Sequence, residues 1–194
     1  MSINLFLEVL MEQILENNAS HLLDNVAGII KSYEAQWQKT GEKYNIFKVA
    51  GIAHKEVIMC RVLADLFDPQ GKHCQGSRYL RLFWETISPK LPGPLELNFK
   101  DTKVTVEYAI DENRRIDITL EDGRIFVPIE VKIWAGDQPK QIADYYAFAK
   151  TKNGNSHIPV LYLTVDGHEP SDFSKAGVGK DDYVLLSFKD DILA

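Results

Sequence analysis

The run F-V-P-I-E-V-K-I-W-A, from Phe126 to Ala135, confines the chain to a strand with two unlike faces. Residues two apart on a strand share a face, so Glu130 and Lys132 stand side by side while Val127, Ile129, Val131 and Ile133 point into a core. Just upstream, Ile116, Ile118 and Leu120 alternate with Arg115, Asp117, Thr119 and Glu121 before an Asp122-Gly123 turn signal, so the two runs read as a hairpin. A two-residue turn there pairs Glu121 with Arg124, sets Asp117 opposite Pro128 and leaves Asp117 diagonal to Glu130. Diagonal neighbours on one face lie about 7–8 Å apart, and carboxylates leaning inward from that separation can share a cation with oxygen distances near 2.1 Å. A slip of one residue sends Asp117 to the other face, so the turn must contain an even number of residues.

An isolated E-x-K on a strand is commonly a solvated face. Here the opposite face is continuously apolar, an acid arrives in register, and an amphipathic helix follows. Asp117, twelve intervening residues and then Glu130-Val131-Lys132 resemble the PD-(D/E)XK nuclease superfamily, whose motif places an acid on one strand and (D/E)-x-K on the next. Gln141-Ile142-Ala143-Asp144-Tyr145 is similar to the Q-x-x-x-Y signature that a bacterial branch of that superfamily carries on the next helix. The resemblance covers roughly Ala50 to Phe188 and departs at Ile116, where the family's motif has proline.

The resemblance implies an α/β, restriction-endonuclease-like core with a mixed central sheet flanked by helices. It also implies hydrolysis of nucleic-acid phosphodiester bonds, DNA being the expected substrate, assisted by Mg2+ or Mn2+. Asp117, Glu130 and the Val131 carbonyl form a set of hard oxygen ligands suited to such ions, and Lys132 is expected to orient the attacking water or offset developing charge. Gln141 and Tyr145 are expected to line the cleft and contact substrate.

The 194 residues, 45% hydrophobic and 26% charged, suit one domain with a helical extension. No run approaches the roughly 20 apolar residues that cross a bilayer, and the first residues lack the pattern of a secretory leader, so a cytoplasmic protein is expected. Cys60 and Cys74 have neither disulfide nor zinc spacing and are expected to be free thiols. A net charge of −6 excludes a general nucleic-acid-coating protein. It does not exclude a nuclease, because a carboxylate site is acidic until a cation fills it, and Arg114, Arg115, Lys132, Lys140 and Lys103 offer local phosphate contacts.

Residues 1–44 are expected to form a helical extension packed on the core, and 45–194 the nuclease-like domain. Helical spacing runs from Asn4 to about Gln38, with a break expected at Asn17-Asn18-Ala19-Ser20. A second helix is expected from Phe47 to Phe67. Val49, Ile52, Ala53, Met59, Cys60, Leu63 and Phe67 fall within about 60° of Glu56 on that wheel. A bare carboxylate on such a face costs several kcal/mol, so Glu56 must be paired, protonated or bound to a cation. It resembles the acid that superfamily members place on the first core helix, which implies a metal ligand or catalytic residue.

Asp68 to Gly76 reads as a loop carrying His73 near the cleft, Ser77 to Ile87 as a helix burying Tyr79, Leu80, Leu82, Phe83 and Trp84, and Pro89 to Pro94 as a linker. Val104–Asp111, Ile158–Val165 and Tyr183–Phe188 supply further strands, and Asp137 and Pro139 open the helix that carries Gln141. A further helix is expected to begin near Ile192, so the domain is expected to be cut short or to be a short member of its kind. Two other function classes fit less well: an inactive nuclease-fold module binding nucleic acid or a protein, and a small-molecule hydrolase using paired carboxylates. The intact trio Asp117, Glu130 and Lys132 argues against the first. Homodimerisation is left open by the sequence.

Overall fold

The computed structural model describes residues 3–40, 49, 51 and 55–192, and the chain divides into two compact units, Met1–Gly51 and Ile52–Ala194. In the first unit a single helix, α1, spans Ile3–Thr40. The expected break at Asn17 to Ser20 does not occur, because no proline interrupts the run and interior Asn or Ser costs only a fraction of a kcal/mol per residue. The expected boundary at residues 44 and 45 lies outside the described residues. Among the described residues no helix is long and apolar enough to cross a membrane.

The second unit runs α2 (Glu56–Phe67), α3 (Arg78–Ile87), β1 (Lys103–Ala109), β2 (Arg115–Glu121), β3 (Phe126–Lys132), α4 (Gln141–Asn153), β4 (Val160–Thr164), α5 (Asp172–Lys175) and β5 (Tyr183–Ser187). The strands form one sheet in the order β1-β2-β3-β4-β5. The β1–β2 and β2–β3 pairs are antiparallel, while β3–β4 and β4–β5 are parallel. Helix α4 is the crossover that parallel β3 and β4 require.

Helices α2 and α3 cover one face of the sheet, over Ile118, Leu120, Val127, Ile129 and Val131. Ile142, Tyr145 and Ala149 of α4 cover the other, over Ile116, Phe126 and Tyr162. Every residue of β3 and β4 is consequently buried, which explains their near-continuous apolar sequence. On α3 the buried stripe is Leu80, Phe83, Trp84 and Ile87, the i, i+3, i+4, i+7 spacing of one helical face. Tyr79 and Leu82, expected in that stripe, lie on its flanks and are exposed.

Two expected helix starts are corrected. Lys55 has extended backbone, φ −99° and ψ 95°, so α2 begins at Glu56 and the acid sits on its first turn rather than mid-face. Val49 is exposed, and residues 47, 48, 50 and 52–54 of the expected helix lie outside the described residues. Asp137 does not cap α4, whose N-cap is Lys140 in a left-handed conformation, φ 59°. Asp137 instead accepts the Tyr162 hydroxyl at 2.8 Å and the Ser171 N–H at 2.6 Å, tying the segment after β3 to the one after β4.

The β2–β3 connection is also longer than expected. The ladder pairs Glu121 with Phe126 and Ile118 with Ile129, leaving residues 122–125 as the loop. Asp122 builds it: Oδ1 accepts the N–H groups of Arg124 and Ile125 at 2.9 and 3.0 Å, and Oδ2 accepts that of Asn98 at 2.7 Å. Gly123 supplies the left-handed turn residue at φ 84°. The paired ladder ends at Ile118–Ile129, and the next residues, Asp117 and Glu130, bring their carboxylates together just beyond it. Asp122→Ala should destabilise the protein by about 1–3 kcal/mol in urea melts, because three donors lose a charged acceptor. Burial pushes the Asp122 carboxyl up, but those donors outweigh it and hold it below its ordinary value. Its contribution is therefore present above the ordinary carboxylate pKa and lost as pH falls through the depressed one, and the deficit of Asp122→Ala should shrink in acid.

Candidate active site

The register delivers three charged side chains to one point. Asp117 Oδ2 accepts the Val131 N–H at 2.8 Å, so the acid replaces a ladder acceptor near the C-terminal end of β3. Glu130 is 1% exposed, and no backbone N–H or hydroxyl reaches its carboxylate oxygens. Lys132 Nζ lies 2.6 Å from Glu130 Oε1 as an ion pair. Burial pushes the Glu130 carboxyl well above its ordinary value and the Asp117 charge pushes it further, with Lys132 offsetting part. Asp117 is also raised, by burial, against the Val131 N–H and the Lys132 charge. Burial pulls the Lys132 ammonium down, but the Glu130 charge outweighs it and leaves the group above its ordinary value. One ammonium thus serves two crowded carboxylates.

Glu56 meets this cluster from α2 in a manner the sequence did not suggest. Its Oε1 accepts three consecutive N–H groups, from Ile133 at 2.6 Å, Trp134 at 2.8 Å and Ala135 at 2.9 Å. Burial pushes the carboxyl up, but these donors and Lys132 hold it below its ordinary value. Glu56 is an anchor for the end of β3, and it places Lys132 by fixing the backbone immediately after it. The neutral isostere Glu56→Gln loses the charge on those bonds and should cost about 1–3 kcal/mol in chemical denaturation. Because the folded pKa is depressed, that difference is full above the ordinary Glu value and fades as pH falls through the depressed one.

Gln141 and Tyr145 lie on the same face of α4 and are 4% and 1% exposed. Gln141 Nε2 donates to the Tyr145 hydroxyl at 3.2 Å, and that hydroxyl donates to the Arg115 carbonyl, two residues before Asp117. Gln141 Oε1 also accepts the Gln138 N–H at 3.3 Å, so the pair ties the start of α4 to β2 just before Asp117. Burial and then the Glu130 charge push the Tyr145 hydroxyl up.

The basic candidates divide. Arg114 is committed to Asp144 at 3.1 Å, Gln138 Oε1 at 2.7 Å and the Pro139 carbonyl, which clamps the loop before α4. Arg115 is exposed and 3.7 Å from Glu107, and Lys103 and Lys140 are exposed. His73, expected near the cleft, has both ring nitrogens engaged in its own loop, with the Asp68 carbonyl at 3.1 Å and the Gln75 N–H at 3.0 Å. It has no free nitrogen to offer a substrate. Cys60 and Cys74 are free thiols.

Glu107 escaped the sequence reading. It lies between the pairs Val106–Ile118 and Tyr108–Ile116, opposite Asp117, with φ 56°. A left-handed non-glycine residue inside a strand is strained, and no residue pattern signals it.

Among the described residues no group of three or more acid, His or Cys side chains is gathered to hold a metal. Two carboxylates still fit a hard divalent ion, since Mg2+ is typically bound by one or two carboxylates with water and substrate phosphate completing the shell. The buried Glu130 carboxylate, reached by no backbone N–H or hydroxyl and crowded by Asp117, is the observation that supports this fit.

The model of the PD-(D/E)XK nuclease superfamily matches residues 44–194. No curated protein matches the chain, and no solved structure matches it.

Proposed function

Because the chain belongs to the PD-(D/E)XK nuclease superfamily, with the superfamily's α/β, restriction-endonuclease-like fold, we propose that it is a nuclease that hydrolyses DNA with Mg2+ or Mn2+. The observation that carries this reading is two carboxylates, Asp117 and the buried Glu130, crowded together with the single ammonium of Lys132, 2.6 Å from Glu130 Oε1. Two buried carboxylates against one ammonium leave negative charge that a divalent cation would offset. Asp117, Glu130 and the Val131 carbonyl would hold the ion. Bound there, it supplies Lewis acidity toward a phosphate oxygen and a water of lowered pKa.

The chain's own residues do the rest. Asp117 is held against β3 by the Val131 N–H, so both carboxylates stay in register. Lys132 lies on the face where negative charge grows during attack at phosphorus, and its raised pKa keeps it an ammonium that can offset that charge. Glu56 fixes the backbone after Lys132, and Gln141 with Tyr145 fixes the backbone before Asp117. The reading places the protein in the cytoplasm, where both thiols stay reduced.

The test is cleavage of end-labelled single-stranded and duplex DNA and RNA, with Mg2+, with Mn2+ and with EDTA. Cleavage of DNA that needs the ion and is lost in Asp117→Asn supports the reading. Cleavage unaffected by EDTA, or none on any of the four substrates, refutes it.

A further inference from the structure

We infer that Trp134 is a base-stacking residue, and that the substrate therefore presents an unpaired base beside the scissile phosphate. The inference rests on the nuclease reading of the acid site and adds the substrate class to it.

Trp134 is 75% exposed, whereas Trp84 is 4% exposed and donates its indole N–H to the Leu95 carbonyl. A large aromatic group held in water is informative when its placement is fixed. Here it is fixed by the three N–H groups of Ile133, Trp134 and Ala135 that converge on Glu56 Oε1. The loop is pinned and the indole is displayed, two residues beyond Lys132.

The neighbouring surface continues the pattern. Strands β3 and β4 are parallel with Lys132 opposite Thr164, so the segments after both strands emerge at one edge of the sheet. Val165 and Phe173 there are 48% and 55% exposed. The two segments are tied together by Asp137 to Ser171 and by the Lys140 N–H to the Phe173 carbonyl at 2.7 Å.

The displayed ring decides between a duplex and a single strand. Of the basic groups near the site, Arg114 clamps a loop, Lys132 is paired with Glu130 and Lys175 with Glu169 and Asp172, while Lys140 is exposed and suits the phosphates of either form alike. A base stacks on an aromatic ring through its face, and only an unpaired base offers that face.

The test uses the full chain carrying Asp117→Asn, so that binding is read without turnover. The probes are a fluorescein-labelled twelve-nucleotide oligothymidylate and a twelve-base-pair duplex. The oligothymidylate should bind at least tenfold more tightly than the duplex. Adding Trp134→Ala should weaken its binding by about tenfold or more, while Trp134→Phe retains most of it. Quenching of tryptophan fluorescence on binding should be lost with Trp134→Phe. Unchanged affinity in Trp134→Ala, or a duplex bound as well as the single strand, overturns the inference. The two readings fail separately: if the unmutated protein cleaves duplex and Trp134→Ala cleaves it at full rate, the nuclease reading stands and the stacking role is wrong. Trp134-dependent binding of the oligothymidylate without ion-dependent cleavage supports stacking and removes the nuclease reading.

Discussion

Replacing Asp117 or Glu130 by alanine should reduce DNA cleavage by three orders of magnitude or more, on the scale of losing a group that acts on the charge developing in the transition state. The expectation follows from geometry. The β2–β3 ladder brings the two acids together just beyond Ile118–Ile129, and Glu130 is buried with Lys132 at 2.6 Å, so each acid holds a place that no solvent-exposed carboxylate can take over. Divalent-ion binding should fall with the activity. Lys132→Ala should behave differently: Glu130 loses its 2.6 Å ion pair, so ion binding survives while the rate collapses. Steady-state cleavage assays paired with isothermal titration of Mn2+ separate the two outcomes. An Asp117→Ala protein that cleaves at the native rate would remove the mechanism.

Divalent cations should raise the melting temperature at neutral pH, and the rise should grow from mildly acidic to neutral pH. Asp117 and Glu130 both have folded pKa values above their ordinary ones, from burial first, with the Asp117 charge adding to the rise at Glu130. Their protonated forms therefore support the fold fully below about pH 4, and that support is lost as pH rises through the folded values. An ion that binds the two carboxylates in the folded state reverses the loss. At a concentration one hundred times its dissociation constant it contributes about 2.7 kcal/mol, or roughly 5–10 °C for a chain of this size. Asp117→Asn keeps an acceptor for the Val131 N–H and removes one of the crowded charges. It should stabilise the metal-free protein by on the order of 1 kcal/mol at pH 7 and abolish the rise with Mg2+ or Mn2+. Thermal melts of both proteins at pH 5 and 7, with EDTA and with each ion, read this directly. An equal rise in the two proteins would place the ion elsewhere.

The alternation of Ile118 and Leu120 with Thr119, and of Val127, Ile129 and Val131 with Glu130 and Lys132, was legible in the sequence and survives in the ladder although the turn is longer. It does not extend through Asp117, because Ile116 packs under α4, on the face opposite Ile118. The turn was misjudged because Asp-Gly is a signal for a two-residue hairpin, whereas Asp122 gathers donors from as far away as Asn98, a contact with no local trace.

Glu56 illustrates the opposite case. The helical wheel detected that its carboxylate needed partners, but the partners are backbone N–H groups of Ile133 to Ala135, and backbone donors leave no signature in residue types. Gln141 and Tyr145 were recognisable as a pair four apart on a helix. Their burial, which turns them from substrate contacts into supports for β2, depended on how α4 docks over Ile116 and Phe126. The strain at Glu107 and the tie from Asp137 to Ser171 are likewise products of tertiary packing.

The most direct measurement is anomalous diffraction from crystals of the full chain soaked in Mn2+, because it needs no knowledge of the substrate. A single strong peak between the Asp117 and Glu130 carboxylates, absent from crystals of Asp117→Asn, is the predicted result. Crystals with no peak at the pair, or with a peak that persists in Asp117→Asn, would contradict the claim that these two acids form a divalent-cation site.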